Sequence, residues 1–174
     1  MTEIFQRSDI KDRTLEHYGR AMMLAQYLEV TIITAYLLIE VAPKKRHLID
    51  EQDRWIDEVY SQTNSMLEKT LGGMIHKLCE TGKISAEALE VLQAALAARN
   101  KLSHGFFLGR PLSPGTTRND LDIFADIGDC AVSICRAAEL LEWNLDRVRL
   151  LFGLEAMNLA STYKTIRSHY DHAP

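Results

Sequence analysis

The stretch at residues 14–41 constrains the fold most, because it is apolar almost all the way round a helix. From Ala21 onward, its only charged or amide residues are Gln26, Glu29 and Glu40. A transmembrane span needs about 20 mostly apolar residues, and a charge near its middle is costly. Glu29 therefore favours a central bundle helix, buried on several sides, over a membrane span. The run at 30–34 has strand propensity, but no turn signals bound it, and the length of the stretch favours a helix.

Four more helical patterns follow, and together they predict an all-α bundle of about five helices. They cover residues 53–60, 66–80, 85–104 and 120 into the 160s. The length of 174 residues is that of one domain, and 47% hydrophobic with 25% charged residues is ordinary for a globular protein. We therefore expect a single domain over 1–174, with a loose lead-in at 1–12 and a disordered tail at 168–174.

Several residues suggest where the first helices begin and end. Pro43 and the basic triplet after it are expected to end the first helix. Asp50 or Asp53 would cap the second helix. The polar residues at 61–65 indicate a break or a weak turn.

Glycines and a serine suggest further boundaries. Gly72 and Gly73 would lie inside the third helix, where each costs about 1 kcal/mol relative to alanine, so they predict close approach of a neighbouring helix. Ser85 is expected to cap the fourth helix, and Gly105 to end it.

The fourth helix carries a cluster of polar residues at its end. Its apolar stripe, with i, i+3, i+4, i+7 spacing, consists of Ala88, Leu89, Leu92, Ala95 and Leu96. At about 100° per residue, Arg99 and Ser103 continue this stripe. Asn100 and His104 stack i, i+4 at its edge, whereas Lys101 lies outside it. One edge of the helix thus presents a fixed cation, a titratable imidazole and two neutral hydrogen-bonding groups.

Arg99 needs a partner, because an unpaired buried charge is costly. A carboxylate or the carbonyls at a helix end would make it a purely structural arginine. The convergence of Asn100, Ser103 and His104 on the same edge favours a functional site instead.

The motif R-N-x-x-x-H at 99–104, followed by G-F-F at 105–107, resembles the signature of HEPN domains. A second stretch, T-L-G-G-M-I at 70–75, precedes Leu89-x-x-Leu92, and this order resembles uncharacterised HEPN-like bacterial families. The resemblance covers residues 66–107 and implies a small all-α domain. Many HEPN domains are metal-independent ribonucleases of toxin–antitoxin and abortive-infection systems, and many others are not catalytic.

The resemblance also implies roles for individual residues. Arg99 and His104 match the functional pair of the family, and Asn100 matches its frequent polar companion. A homodimer is expected as well. Because one motif supplies one histidine, and cleavage needs both a base and an acid, two motifs meeting across a two-fold axis would complete the site.

The net charge of −4 argues against bulk electrostatic binding of nucleic acid. The segment 91–119 differs, because it contains no acidic residue and carries +4, which leaves −8 on the rest of the chain. Its cations are Arg99, Lys101, Arg110 and Arg118. This segment could hold a phosphodiester, with Lys101, Ser103 and Arg110 contacting the substrate, or it could be a solvated loop.

Metal, cofactor and membrane functions are not expected. His76 and Cys79 have the spacing of two metal ligands, but no second pair accompanies them. Cys130 and Cys135 would point apart on a helix, which disfavours a disulfide. The N-terminus lacks the pattern of a signal peptide, so the reducing cytoplasm is the expected compartment.

The leading hypothesis is a metal-independent endoribonuclease of a toxin–antitoxin or defence system, in which a ribose 2′-OH attacks the adjacent phosphate. In this hypothesis His104 transfers the proton, Arg99 holds the phosphate and Asn100 orients either group. The alternatives are a non-catalytic module that binds a nucleotide or a cognate antitoxin protein, and a purely structural bundle.

Overall fold

The computed structural model of the chain describes residues 2–48, 50–108 and 117–151. Over these residues the chain is an all-α bundle without strands, which confirms the predicted fold class. Its five main helices are α1 (Thr2–Tyr36), α2 (Gln52–Leu67), α3 (Leu71–Cys79), α4 (Ala86–Ser103) and α5 (Thr117–Leu151). The tail expected at 168–174 lies outside the described residues.

Helix α1 is a core helix, as Glu29 predicted. Residues at intervals of seven along it, Thr14, Ala21, Leu28 and Ala35, are completely buried. By length and composition alone, Lys11–Lys44 could cross a membrane, since one window has a mean hydropathy of 1.6. Core helices of soluble proteins can be equally long and apolar. The buried positions of α1 pack mainly against α5.

Helices α1 and α5 form the long axis of the bundle and run in the same direction. His17 of α1 contacts Phe124 of α5, and further along Tyr27 donates a hydrogen bond to Glu142. The buried residues of α5 alternate in steps of three and four, as in the packing of left-handed helical pairs, and include Ile123, Ile127, Cys130, Ile134, Ala137 and Leu141.

The first helix differs from its prediction at both ends. The lead-in expected at 1–12 is helical from Thr2. Pro43 does not end the helical path, which continues through a π-helical turn at Leu37–Val41 and a further turn at Ala42–Lys44. The N–H of Ala42 donates to the carbonyl of Leu37, five residues back. This wider turn relieves the clash that a proline ring makes with the carbonyl four residues before it.

Helix α2 also differs from its prediction in two ways. Its N-cap is Glu51, without a side-chain capping bond, so neither Asp50 nor Asp53 caps it. The polar stretch 61–65 does not break it, because such residues lower helix propensity only slightly. Gln62 even supports the helix, since its Nε2 donates to Glu58 at 3.0 Å.

Helix α3 starts later than predicted, at Leu71. The Thr70 hydroxyl caps it by accepting a hydrogen bond from Gly73 N at 3.2 Å. Gly72 and Gly73 therefore occupy the first turn, where a weak helix former costs less than in the interior. A Cβ added to Gly72 would lie 3.4 Å from the Leu96 side chain, so α3 does approach α4 closely, as predicted.

Candidate functional site

Helix α4 carries the polar cluster on its last turn, with both ends where the sequence predicted them. The Ser85 hydroxyl caps its start by accepting a hydrogen bond from Ala88 N at 3.2 Å. The helix ends at Ser103, and His104 is its C-cap. Gly105 follows with a φ of +76°, a left-handed conformation that glycine adopts without strain. The C-cap position therefore holds His104 at the point where the helix stops.

Arg99 has the partner that the apolar stripe required. Its Nη2 lies 3.4 Å from Oε1 of Glu29 on α1, and the two side chains are 29% and 27% exposed. Both residues are polar exceptions on apolar helices, but nothing in the sequence pairs them. The contact is long and involves one nitrogen, so it is not the bidentate fork that arginine often makes with a carboxylate.

Asn100 and His104 lie on the outer edge of α4, one turn apart, and both are exposed. The backbone N–H of His104 donates to the Asn100 carbonyl at 3.0 Å, which fixes their relative position. Within the described part of the chain, neither side chain forms a hydrogen bond, so both are available to a ligand from solvent.

Ser103 is on the same stripe as Arg99, but its hydroxyl is engaged. Its Oγ donates to the Arg99 carbonyl at 2.9 Å, the backbonding typical of a serine within a helix. The hydroxyl keeps its lone pairs and can still accept a hydrogen bond. This arrangement makes Ser103 a secondary contact at most.

The other two proposed substrate contacts are not brought to this cluster. Lys101 points to a different side of α4, where its Nζ lies 3.2 Å from Asp126 of α5. Arg110 lies outside the described residues. Of the four cations in the segment 91–119, the two whose side chains are described, Arg99 and Lys101, are each paired with a carboxylate. The local positive charge is thus partly neutralised within the fold.

An aromatic cluster anchors the end of α4 to α1. The Tyr18 hydroxyl donates to the Leu102 carbonyl at 2.9 Å, which satisfies one of the carbonyls left unpaired at a helix end. The Tyr18 ring also packs on Phe107, with ring centroids 5.0 Å apart, and buried Phe106 contacts Phe107 edge to face. No motif in the sequence marks Tyr18, and only its place on the apolar first helix suggests a packing role.

Comparisons with protein-family models, curated proteins and solved structures find no match. The residues of the site and the motif that they form therefore carry the functional proposal.

Proposed function

We propose that this protein is a HEPN-like, metal-independent endoribonuclease of a toxin–antitoxin or defence system. The observation that carries the proposal is the arrangement on the last turn of α4, where exposed His104 and Asn100 stand beside Arg99. These are the residues that the HEPN-like motif assigns to function. They combine a proton-transfer group and an amide on the exposed edge with a partly exposed cation on the neighbouring face of α4.

The proposed reaction is an internal transesterification of RNA. The imidazole of His104 removes the proton from a ribose 2′-OH, and the oxygen attacks the adjacent phosphorus. The bond from phosphorus to the 5′-oxygen of the next nucleotide breaks, and that oxygen takes a proton. The products are a 2′,3′-cyclic phosphate and a 5′-hydroxyl end. Arg99 stabilises the charge that develops on the phosphate oxygens.

A second proton-transfer group is required, because the leaving oxygen must be protonated while the 2′-OH is deprotonated. The exposed edge of α4 leaves His104 reachable by a second copy of the chain. We propose that two motif edges meet in a homodimer, so that one His104 acts as base and the other as acid. The cytoplasm, where RNA is abundant, is the proposed compartment.

RNA binding is expected to depend only modestly on salt. Affinity falls with salt in proportion to the number of phosphates that the protein neutralises. Because Arg99 and Lys101 already contact carboxylates, few free cations remain among the described residues of segment 91–119. The proposal therefore requires recognition through a small number of positioned groups rather than through a broad basic surface.

The decisive test is cleavage of single-stranded RNA in the presence of EDTA, comparing the wild type with His104→Ala. We expect the substitution to lower the cleavage rate about 10² to 10⁴-fold, the usual cost of losing a positioned proton-transfer group. His47→Ala, at an exposed histidine outside the site, is the matched control and should cleave at the wild-type rate. Equal rates for His104→Ala and the wild type would contradict the proposal.

The second candidate is a non-catalytic module that binds a nucleotide or a cognate antitoxin protein. The contact between Arg99 and Glu29 favours it, because an arginine that already has a carboxylate partner can serve packing alone. In this case the purified protein would not cleave RNA even at low salt, and the exposed edge of Asn100 and His104 would be its binding surface.

A further inference from the structure

Three large apolar side chains form a stripe on the side of α5 opposite its core stripe, and the partly exposed Glu139 lies on the same line. Leu121, Val132 and Trp143 are 58%, 62% and 72% exposed, although side chains of this size are usually buried. Their separations of 11 residues equal three helical turns, so they form one line along the helix. Gly128 lies on the same line, and a Cβ added to it would have no atom of the described chain within 4 Å. A second helix can therefore approach this line closely.

One edge of the stripe carries two charged residues that complement each other by symmetry. Asp129 and Arg136 are exposed, seven residues apart, and neither forms an ion pair with another residue of the described chain. In an antiparallel pair of identical helices, the same edge of each helix meets the same edge of the other. A two-fold axis midway between Asp129 and Arg136 would therefore place each beside its opposite charge on the second copy.

The same axis also aligns the apolar residues. It passes between positions 132 and 133, so Val132 of the two copies would be neighbours at the centre. Leu121 of one copy would come within one residue's rise, about 1.5 Å, of the level of Trp143 on the other. One placement thus aligns the three apolar residues and also brings Asp129 beside Arg136 of the second copy.

Helix α1 offers a comparison. It also exposes large apolar residues, with Met23 60% and Val30 52% exposed. The charged pair beside them is different, however, because Arg20 and Glu16 form an ion pair with each other inside the helix. The charged pair at the edge of the α1 face is therefore formed within one chain. Asp129 and Arg136 of α5, by contrast, have no ion-pair partner within the described part of the chain.

We propose that the outer face of α5 is an interface between two copies of this chain, which pack antiparallel about an axis near Val132. This interface is independent of the proposed ribonuclease activity. It lies on a different side of α5 from Asp126, the residue that contacts Lys101 of the motif helix. Contact through α5 and contact between the motif edges can therefore occur in the same assembly.

Charge reversal tests the interface. The dissociation constant for self-association, measured by sedimentation equilibrium, should rise about tenfold in Asp129→Lys and in Arg136→Glu, because each pair occurs twice around the axis. The double variant restores opposite charges and should return to within about threefold of the wild-type constant. Single reversals that leave the constant unchanged, or a double variant as weak as the singles, would overturn the proposal. Both positions are exposed, and unchanged circular dichroism would show that the variants fold.

Disulfide trapping tests the placement of the axis. Val132→Cys in the full chain should form a disulfide with the same residue of a second copy under mild oxidation, since the two would be neighbours. Tyr60→Cys, at a residue of α2 that is 66% exposed, controls for random collision, and the wild type controls for its native cysteines. Linking of Val132→Cys no faster than of Tyr60→Cys would exclude this axis. RNA cleavage by all these variants reports separately on the motif.

Discussion

Arg99 approaches Glu29 with one nitrogen at 3.4 Å, a distance longer than that of a charge-assisted hydrogen bond. Because both side chains are more than a quarter exposed, such a pair contributes about 1 kcal/mol or less to the free energy of unfolding. The contact orients the guanidinium without using its full hydrogen-bonding capacity. A phosphate could therefore bind to the remaining donors while Glu29 stays in place.

Arg99→Lys separates a phosphate-binding role from a structural one. Lysine keeps the charge but lacks the planar fork, so cleavage should fall about 10²-fold if Arg99 holds the phosphate. The melting temperature should fall by no more than about 2–4 °C, which corresponds to about 1 kcal/mol in a chain of this size. Both are measured on the same preparation, by RNA cleavage and by thermal unfolding.

The control is Arg54→Lys, which alters an exposed arginine paired with Glu51 on the surface of the bundle. It should change neither activity nor melting temperature. If the activity of Arg99→Lys falls only in proportion to its loss of folded protein, the role of Arg99 is structural alone.

The end of helix α4 depends on the backbone conformation of Gly105. Its φ of +76° disfavours any residue with a Cβ, and a Cβ there would lie 2.7 Å from Leu108 Cδ1. The turn before α4 contains Gly82, which has a similar φ of +66° but no atom within 4 Å of an added Cβ. The two glycines thus share a backbone conformation and differ in the space around them.

This difference predicts unequal costs for the same substitution. Gly82→Ala should lower the free energy of unfolding by about 1 kcal/mol, the cost of a left-handed residue. Gly105→Ala should cost slightly more, because the exposed Leu108 side chain must also rotate away from the added Cβ. Chemical denaturation measures the free energies. A Gly105→Ala variant no less stable than Gly82→Ala would show that Leu108 moves aside without cost.

The whole molecule depends on the packing of α1 against α5, and a histidine lies at this contact. The His17 ring packs on Phe124, with centroids 4.2 Å apart. Burial, followed by the nearby charge of Arg20, lowers the pKa of His17 below its ordinary value of 6.5. The neutral imidazole is thus the form that the folded protein prefers.

The stability should therefore fall as the pH falls through 6.5. Below that value the unfolded chain binds a proton at His17 that the folded chain resists, so acid favours unfolding. Two carboxylates act in a separate pH range. Hydrogen bonds from Lys77 and Lys44 hold the pKa values of Glu80 and Glu40 below 4.5, so their effect is lost only at lower pH.

Thermal unfolding between pH 7.5 and 5.5 separates the effects of histidines from those of carboxylates, since these limits bracket the ordinary histidine pKa of about 6.5. His17→Gln should show a smaller decrease in melting temperature over this range than the wild type. His47→Gln, at an exposed position, should keep the wild-type decrease. Identical pH profiles for the wild type and His17→Gln would show that protonation of His17 is not coupled to folding.

Local chemistry in the sequence determined the fold class and the ends of the motif helix. The apolar length of residues 14–41 predicted a buried helix, because so much apolar surface must be covered. Ser85 predicted the start of α4, and Gly105 its end, because caps depend on one side chain or one backbone angle. The edge shared by Asn100 and His104 followed from helical periodicity alone, and the structure shows both on the exposed edge of α4.

Only the tertiary structure decided which residues meet across helices. The pairing of Arg99 with Glu29, 70 residues apart, depends on how α1 and α4 pack, and neither helix specifies the other's rotation. The same holds for Lys101, which the sequence suggested as a substrate contact and which instead pairs with Asp126 of α5. The polar stretch 61–65 and Pro43 were misjudged because packing and a local π-helical turn offset propensities of only a few kcal/mol or less.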